Sequence, residues 1–549
     1  MDRWSRPAAG REPAAAALLS WLADPAAPRL CLVTGGAGCG KSTLLAWLVG
    51  HGTRPDTRSV RRVHGFAPLA GQSALTATWT LARQLSMAAR TPGELVAALA
   101  ADRRRTVLVL PDLHAAEDPE TVSELALALA DVDHVRLVVE TRPDAGARLR
   151  ATGAAVMNLD EDQWTNPGRY AEWAAQRTPG QSVSESEVPL PVVDLDDPAA
   201  VCAADPWHVT RLFERSGETH GGLREAWLRA GLSLTDARDP AARALTLLTA
   251  LGDGADPRHP DTLAALAGGS GWRVAWRRVR HDVRPPWPGP ARALSVRDGQ
   301  LLVADHQGTV RVLAEAGATP VGRLPRSADR LQALAAGPEG EVLGLDAEGT
   351  VRLRVGAVRE RGGLEALLDD GPAPLEGLLE RVNARLREHP GTALAASGRV
   401  LATGDASGEV HAFLEGDAVR DAVLHEGPVT ALAALDLPVP PEAEGRAIPL
   451  LYSGGLDGRV RAWGPRAEPL GTPLAARPCP VTALAAGVTP DGPVLAVAWS
   501  DGLVEHHTLD SDGPPRVFHP GLAVRALAVT GSGLLVVGTD ESLIALRPR

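Results

Sequence analysis

Six times in the C-terminal half of this 549-residue chain, the pair Ala-Leu opens an apolar run that leads into a turn related to D-x-x-G-x-V. The pairs stand at Ala293-Leu294, Ala333-Leu334, Ala393-Leu394, Ala431-Leu432, Ala483-Leu484 and Ala526-Leu527, so that successive steps are 40, 60, 38, 52 and 43 residues. The turns begin at Asp305, Asp346, Asp405, Asp457, Asp501 and, in a worn form, Asp540. A strand–turn–strand unit of about 40 residues cannot bury its own apolar face, so it must stack against its neighbours, and a ring of small sheets is the solution that leaves no long edge exposed. The spacing predicts a β-propeller of six blades, or seven if one unit is too worn to read.

Two details refine this. The long steps mark insertions: within 361–388, Leu375, Leu378, Leu379, Val382 and Leu386 recur at helical spacing, which predicts an amphipathic helix that docks on the propeller or on a partner, docking in cis being the expectation. The stretch 436–449 reads as a Pro- and Glu-rich loop. The last unit holds only three strands before Arg549, whereas the run from Trp272 to Val279 precedes the first unit with no partner of its own. That run is expected to supply the fourth strand of the last blade and so close the ring.

The N-terminal half is built around Arg29 to Thr43, R-L-C-L-V-T-G-G-A-G-C-G-K-S-T. Strand character gives way to a glycine-rich turn and then to an apolar helix, and Gly35, Gly40, Lys41 and Ser42 fit the phosphate-binding pattern G-x-x-x-x-G-K-[ST]. Glycines let successive N–H groups of Gly35, Gly36, Ala37, Gly38, Cys39 and Gly40 turn inward around an anion, where a Cβ would collide. The helix that follows aims its positive dipole end at the same place. Lys41 is expected to reach the β- and γ-phosphates, Ser42 to ligate Mg²⁺ and Thr43 to lie near the α-phosphate. Lys41 is also the only lysine of the chain. It falls where the broad fork of an arginine is a poor substitute for an ammonium.

Further strands are expected at 59–66, 106–110, 135–140 and 154–159, alternating with helices at 44–49, 75–87 and around 170–177. This is the pattern of a parallel sheet covered on both faces, with its ligand at the strands' carboxyl ends. The run 106–110 ends in Pro111-Asp112, which makes Asp112 the candidate to hold the Mg²⁺ shell with Ser42. Residues 178–191, rich in Pro, Ser, Gly and Glu, read as a loop; 192–195 read as a short strand; and 207–266 read as helical. The domains expected are 1–204, an α/β nucleotide-binding core; 205–270, a helical lid or linker; and 271–549, the propeller.

Composition removes several functions. A net charge of −11 argues against a general nucleic-acid binder. No apolar run has the length of a membrane span, and the polar start is no signal peptide. Cys31, Cys39, Cys202 and Cys479 lack metal-ligand spacing, which fits a reducing cytoplasm. In the C-terminal half no catalytic or metal-spaced set stands out, and His506-His507 reads as exposed strand polarity.

Together the phosphate loop, Asp112, the strand tip at Thr141-Arg142, Gly10-Arg11-Glu12 ahead of a first helix and the degenerate WD40-like units resemble bacterial STAND-type, AAA-like P-loop ATPases with a C-terminal propeller. The resemblance implies ATP or ADP with Mg²⁺ as ligands, with Arg142 as a sensor of the γ-phosphate. It also implies an acidic cluster after the strand of Asp112, and here the chain departs from the pattern. Leu113, His114, Ala115 and Ala116 follow, with acids only at Glu117 and Asp118. Either Glu117 swings in to polarise water or hydrolysis is slow, and slow turnover is the expectation. The function implied is a nucleotide-dependent regulatory switch whose propeller binds a protein partner, acting on an effector in trans and forming a nucleotide-dependent oligomer. A scaffold that holds ATP without hydrolysing it is the alternative, and a phosphotransferase is a weaker third reading.

Overall fold

The computed structural model describes residues 7, 9–143, 146–175, 191–237, 239–280, 291–305, 307–325, 330–337, 340–355, 374–398, 400–414, 419–437, 447–511 and 513–549. The chain divides into two compact units, Met1–Val192 and Val193–Arg549. Among the described residues no helix is long and apolar enough to cross a membrane.

The first unit is a five-stranded parallel sheet flanked by helices. Its strands are β1 (Leu30–Thr34), β2 (Gly65–Phe66), β3 (Thr106–Leu110), β4 (Val135–Glu140) and β5 (Ala155–Asn158), arranged in the order β2-β3-β4-β1-β5. All residues of β1, β3 and β4 are buried. Continuous apolar runs of this kind are what a parallel sheet covered on both faces requires. Helices α1 (Glu12–Ala23) and α2 (Lys41–Gly52) cover one face, with Leu18, Leu22, Leu44, Leu45 and Leu48 packed against Cys31, Val33, Val107 and Val138. The predicted strand 59–66 is mostly not one: Ser59–Arg61 is a 3₁₀ turn and only Gly65–Phe66 pairs with β3. Arg58 and Arg62 are exposed there. The loop expected at 178–191 lies almost entirely outside the described residues.

Residues 192–195, where the first unit ends and the second begins, are not a strand. Asp194 and Asp197 turn their carboxylates onto nearby backbone N–H groups, the latter capping helix Pro198–Ala203, the local competition that makes aspartate a poor strand residue. Helices Pro206–Arg215, Leu223–Ala230, Leu232–Asp236, Pro240–Ala250 and Arg258–Leu266 follow. They pack on the propeller, where Thr246 donates to the His519 carbonyl at 3.2 Å and Arg277 to the Leu251 carbonyl at 2.7 Å.

Six antiparallel sheets make the propeller. Their inner strands, Ala293–Arg297, Leu331–Ala336, Gly391–Ala396, Val429–Leu437, Val481–Thr489 and Val524–Val529, each touch the next, and the last touches the first. The ring is closed by β6 (Trp272–Val279), which pairs antiparallel with Ser542–Pro548 from Ser542↔Val279 to Pro548↔Trp272 and completes the four strands of the last blade. The repeated Asp explains itself at the turns: Oδ1 of Asp305, Asp346 and Asp405 accepts the N–H groups two and four residues on, at 2.8–3.0 Å. In the fourth blade, His425 is stitched to Asp457 (3.0 Å) and Ser453 (2.8 Å). The inserted helix Pro374–Leu386 docks in cis, burying Val382 and Leu386 against Leu345, Val351 and Leu401. Asn383 bonds both backbone groups of Val351. His506 corrects the reading of the His pair: it is buried, edge-on to Trp272 with centroids 5.5 Å apart.

Candidate phosphate site

Strand order decides what meets at the carboxyl ends of the sheet. Because β4 lies between β3 and β1, the loop after β1, Asp112 after β3 and the tip of β4 become neighbours. The loop conforms to an anion cradle. Gly35, Gly38 and Gly40 take φ of 144°, 77° and 91°, values that side-chain-bearing residues rarely adopt. A Cβ on Gly35 would sit 2.7 Å from Cys39 Sγ. Helix α2 starts at Lys41 with Gly40 as its N-cap and no side-chain cap, so its first N–H groups are left for another acceptor. One carboxylate already uses the loop as an anion site: Asp160, just past β5, accepts the Gly36 N–H at 2.8 Å and 3.0 Å.

Lys41 is buried. Its Nζ donates to the carbonyls of Gly35 (2.8 Å) and Gly36 (2.9 Å) and lies 3.6 Å from Glu140 Oε1. Glu140, the last residue of β4, is 1 % exposed. Its Oε2 accepts the Asp112 N–H at 2.9 Å. Burial pushes the Glu140 carboxyl above the usual carboxylate range, and the neighbouring Asp112 charge adds to this while Lys41 opposes it. Asp112 holds a left-handed backbone, φ 60° and ψ 36°, the kind of strained conformation that persists where a site fixes a side chain. Carboxylate oxygens of Asp112 and Glu140 and a ring nitrogen of His114 lie within 4.8 Å of one another.

The structure thus brings together Gly35, Gly36, Ala37, Gly38, Cys39, Gly40, Lys41, Ser42 and Thr43 with Asp112. Glu117 is exposed in the loop after Asp112, which is zipped to the segment before α3 (Ala74–Leu85) by Gly71 N–H to Ala115 O and Glu117 N–H to Gln72 O. Arg142 is exposed two residues past the tip of β4, while the preceding Thr141 is fully buried with a hydroxyl that finds no hydrogen-bond partner among the described residues. Glu140 is the residue that sequence reasoning missed. Its signal in the sequence is an acid closing a strand that is apolar but for Arg136, close to the mark that singles out Asp112. Arg11 is buried as well, and donates to the carbonyls of Leu159 and Cys39 and to the Thr165 hydroxyl, tying the segment before α1 to the phosphate loop.

No protein-family model matches the chain, and comparison with curated proteins finds no significant match.

Proposed function

We propose that the first unit binds ATP or ADP with Mg²⁺ and hydrolyses ATP slowly, and that the chain acts as a nucleotide-dependent switch of the STAND type whose propeller binds a protein partner. The observation that carries the nucleotide reading is the buried Lys41 held between a glycine nest and the Glu140–Asp112 pair. The ammonium rests on carbonyls it can exchange for phosphate oxygens, and the donor set of Ser42 hydroxyl and Asp112 carboxylate suits a hard cation that keeps several waters. Mg²⁺ bound there supplies neutralisation of the charge developing on the phosphate oxygens.

Glu140 bears directly on hydrolysis. A buried carboxylate of raised proton affinity is a fit general base for a water, and Glu140 lies beside Asp112, whose N–H it accepts. Glu140 is also engaged, by Lys41 and by the Asp112 N–H, and must give up those partners before it can take a proton. Slow basal turnover, below the ~1–100 s⁻¹ usual for kinases, is what this engagement supports. Binding of ATP and ADP measured separately by calorimetry tests the switch. A clear difference in affinity supports it; equal affinities leave a nucleotide-bound scaffold, since a ligand that does not distinguish two states shifts neither.

A further inference from the structure

We propose that the third blade of the propeller carries a structural zinc site formed by His389, Asp405, Glu409 and His411. Ligand atoms of these four side chains lie within 4.8 Å of one another. Asp405 Oδ2 is 3.2 Å from His389 Nδ1 and 3.4 Å from His411 Nε2. Yet, among the described residues, neither Asp405 Oδ2 nor His411 Nε2, both buried, makes a hydrogen bond. Buried polar atoms are rarely left so. These separations are those of ligands around a common centre: bonds of about 2.0–2.1 Å in a tetrahedron place neighbouring ligand atoms about 3.3–3.4 Å apart.

The surroundings are arranged for it. His411 Nδ1 pairs at 2.8 Å with Asp421, its direct cross-strand neighbour, an outer carboxylate of the sort that fixes the ring and leaves Nε2 to face a metal. Asp405 Oδ1 is occupied by the turn, accepting from the Ser407 hydroxyl and from the N–H groups of Ser407 and Glu409, which leaves Oδ2 for the ion. Arg385 donates to the outer carboxylate of Asp421 at 3.0 Å and stands 3.8 Å from Oε2 of the ligand Glu409. The second blade shows what the same position does without a metal: there Arg352 donates its Nε–H to Oδ2 of the turn residue Asp346 at 2.9 Å. In the third blade the corresponding residue, six places after the turn aspartate, is His411. Two neutral imidazoles and two carboxylates balance a divalent ion, and imidazole with carboxylate selects Zn²⁺ over Mg²⁺ or Ca²⁺. The ion would tie the segment just after the inserted helix to the turn of its blade.

The test uses the full-length chain, stripped by a chelator and free of nucleotide, titrated with Zn²⁺ alone by calorimetry and with Co²⁺ alone by visible absorption. One tight equivalent of Zn²⁺ is expected, together with the intense Co²⁺ bands of a four-coordinate site. His389→Gln, on a half-exposed side chain, should abolish both while the circular dichroism stays unchanged, and His411→Gln should do the same if it folds. Asp421→Asn should weaken Zn²⁺ about 10–100-fold. The proposal is overturned if the wild-type chain binds Zn²⁺ no tighter than micromolar, if the tight event survives His389→Gln, or if Asp112→Asn removes it instead.

Discussion

Lys41 and Glu140 sit 3.6 Å apart at the adjacent carboxyl ends of β1 and β4, and each makes a prediction of a different kind. Lys41→Ala should remove the rise in melting temperature that ATP gives the wild type and leave the propeller folded. Lys41→Arg should restore only part of that rise, because the planar fork does not fit between the Gly35 and Gly36 carbonyls. An equal rise in wild type and Lys41→Ala, read by differential scanning fluorimetry, would remove the phosphate site from the account. Glu140→Gln should keep nucleotide affinity within a few-fold and lower single-turnover hydrolysis about 10²–10⁴-fold, whereas Glu117→Gln should leave the rate close to wild type. The contrast separates what was legible here from what was not. The phosphate loop is local, fifteen consecutive residues with a fixed spacing, and needed only the sequence. Glu140 acts through position in the sheet: nothing in 135–140 says that β4 will lie between β3 and β1, so an acid 28 residues beyond Asp112 gave no sign of standing beside it.

Among elements, β6 shows how an absence can be read. A three-stranded last unit and an unpaired strand before the first required each other, and the antiparallel register from Ser542↔Val279 to Pro548↔Trp272 is the outcome. Its anchor is Trp272, fully buried with its indole N–H on the Val517 carbonyl at 2.8 Å. Trp272→Ala should cost about 3–5 kcal/mol in chemical denaturation of the propeller unit. The partner ring, His506, makes stability depend on pH. Burial, with Arg516 and His507 adding their charges, pushes this imidazole from 6.5 down to about 4. In the unfolded chain it takes a proton near 6.5. Between those values the unfolded state binds more protons, so stability is fully present above about pH 6.5 and falls as the pH drops toward 4. The loss from this one ring is about 2–3 kcal/mol. His506→Gln should flatten that slope, not abolish it, since burial also lowers His425. A denaturation series from pH 7.5 to 4.5 that gave parallel curves for the two proteins would refute the assignment. Periodicity could name the strand of His506; it could not say which of two adjacent histidines faced inward, because an alternating strand has two faces and one residue of slip exchanges them.

At the scale of the molecule, the helices from Pro206 to Leu266 were legible as helices but not as to what they pack against, and the short helix Pro198–Ala203 was not read. Helical spacing reports an apolar face and is silent about its partner. They form one compact unit with the propeller, through contacts such as Arg229 with Glu541 at 3.5 Å and Arg549 with the Gly268 carbonyl at 2.7 Å. Residues 193–549 expressed alone should therefore fold and melt cooperatively, while a chain starting at 271 should be markedly less stable for want of the helical layer. The isolated 193–549 unit then identifies its own transition in calorimetry of the full chain, and that makes the last prediction possible. If the protein is a switch, ATP and ADP must differ in affinity for two states of the whole chain, and the difference must reach residues they do not touch. The transition belonging to 193–549 in the full chain should then move by different amounts with ATP and with ADP, and Arg142→Ala should make the two amounts equal. The isolated unit should respond to neither nucleotide. If both nucleotides raise only the transition of the first unit, and raise it equally, no coupling exists. The nucleotide then stabilises its own sheet by mass action alone, and the scaffold reading replaces the switch.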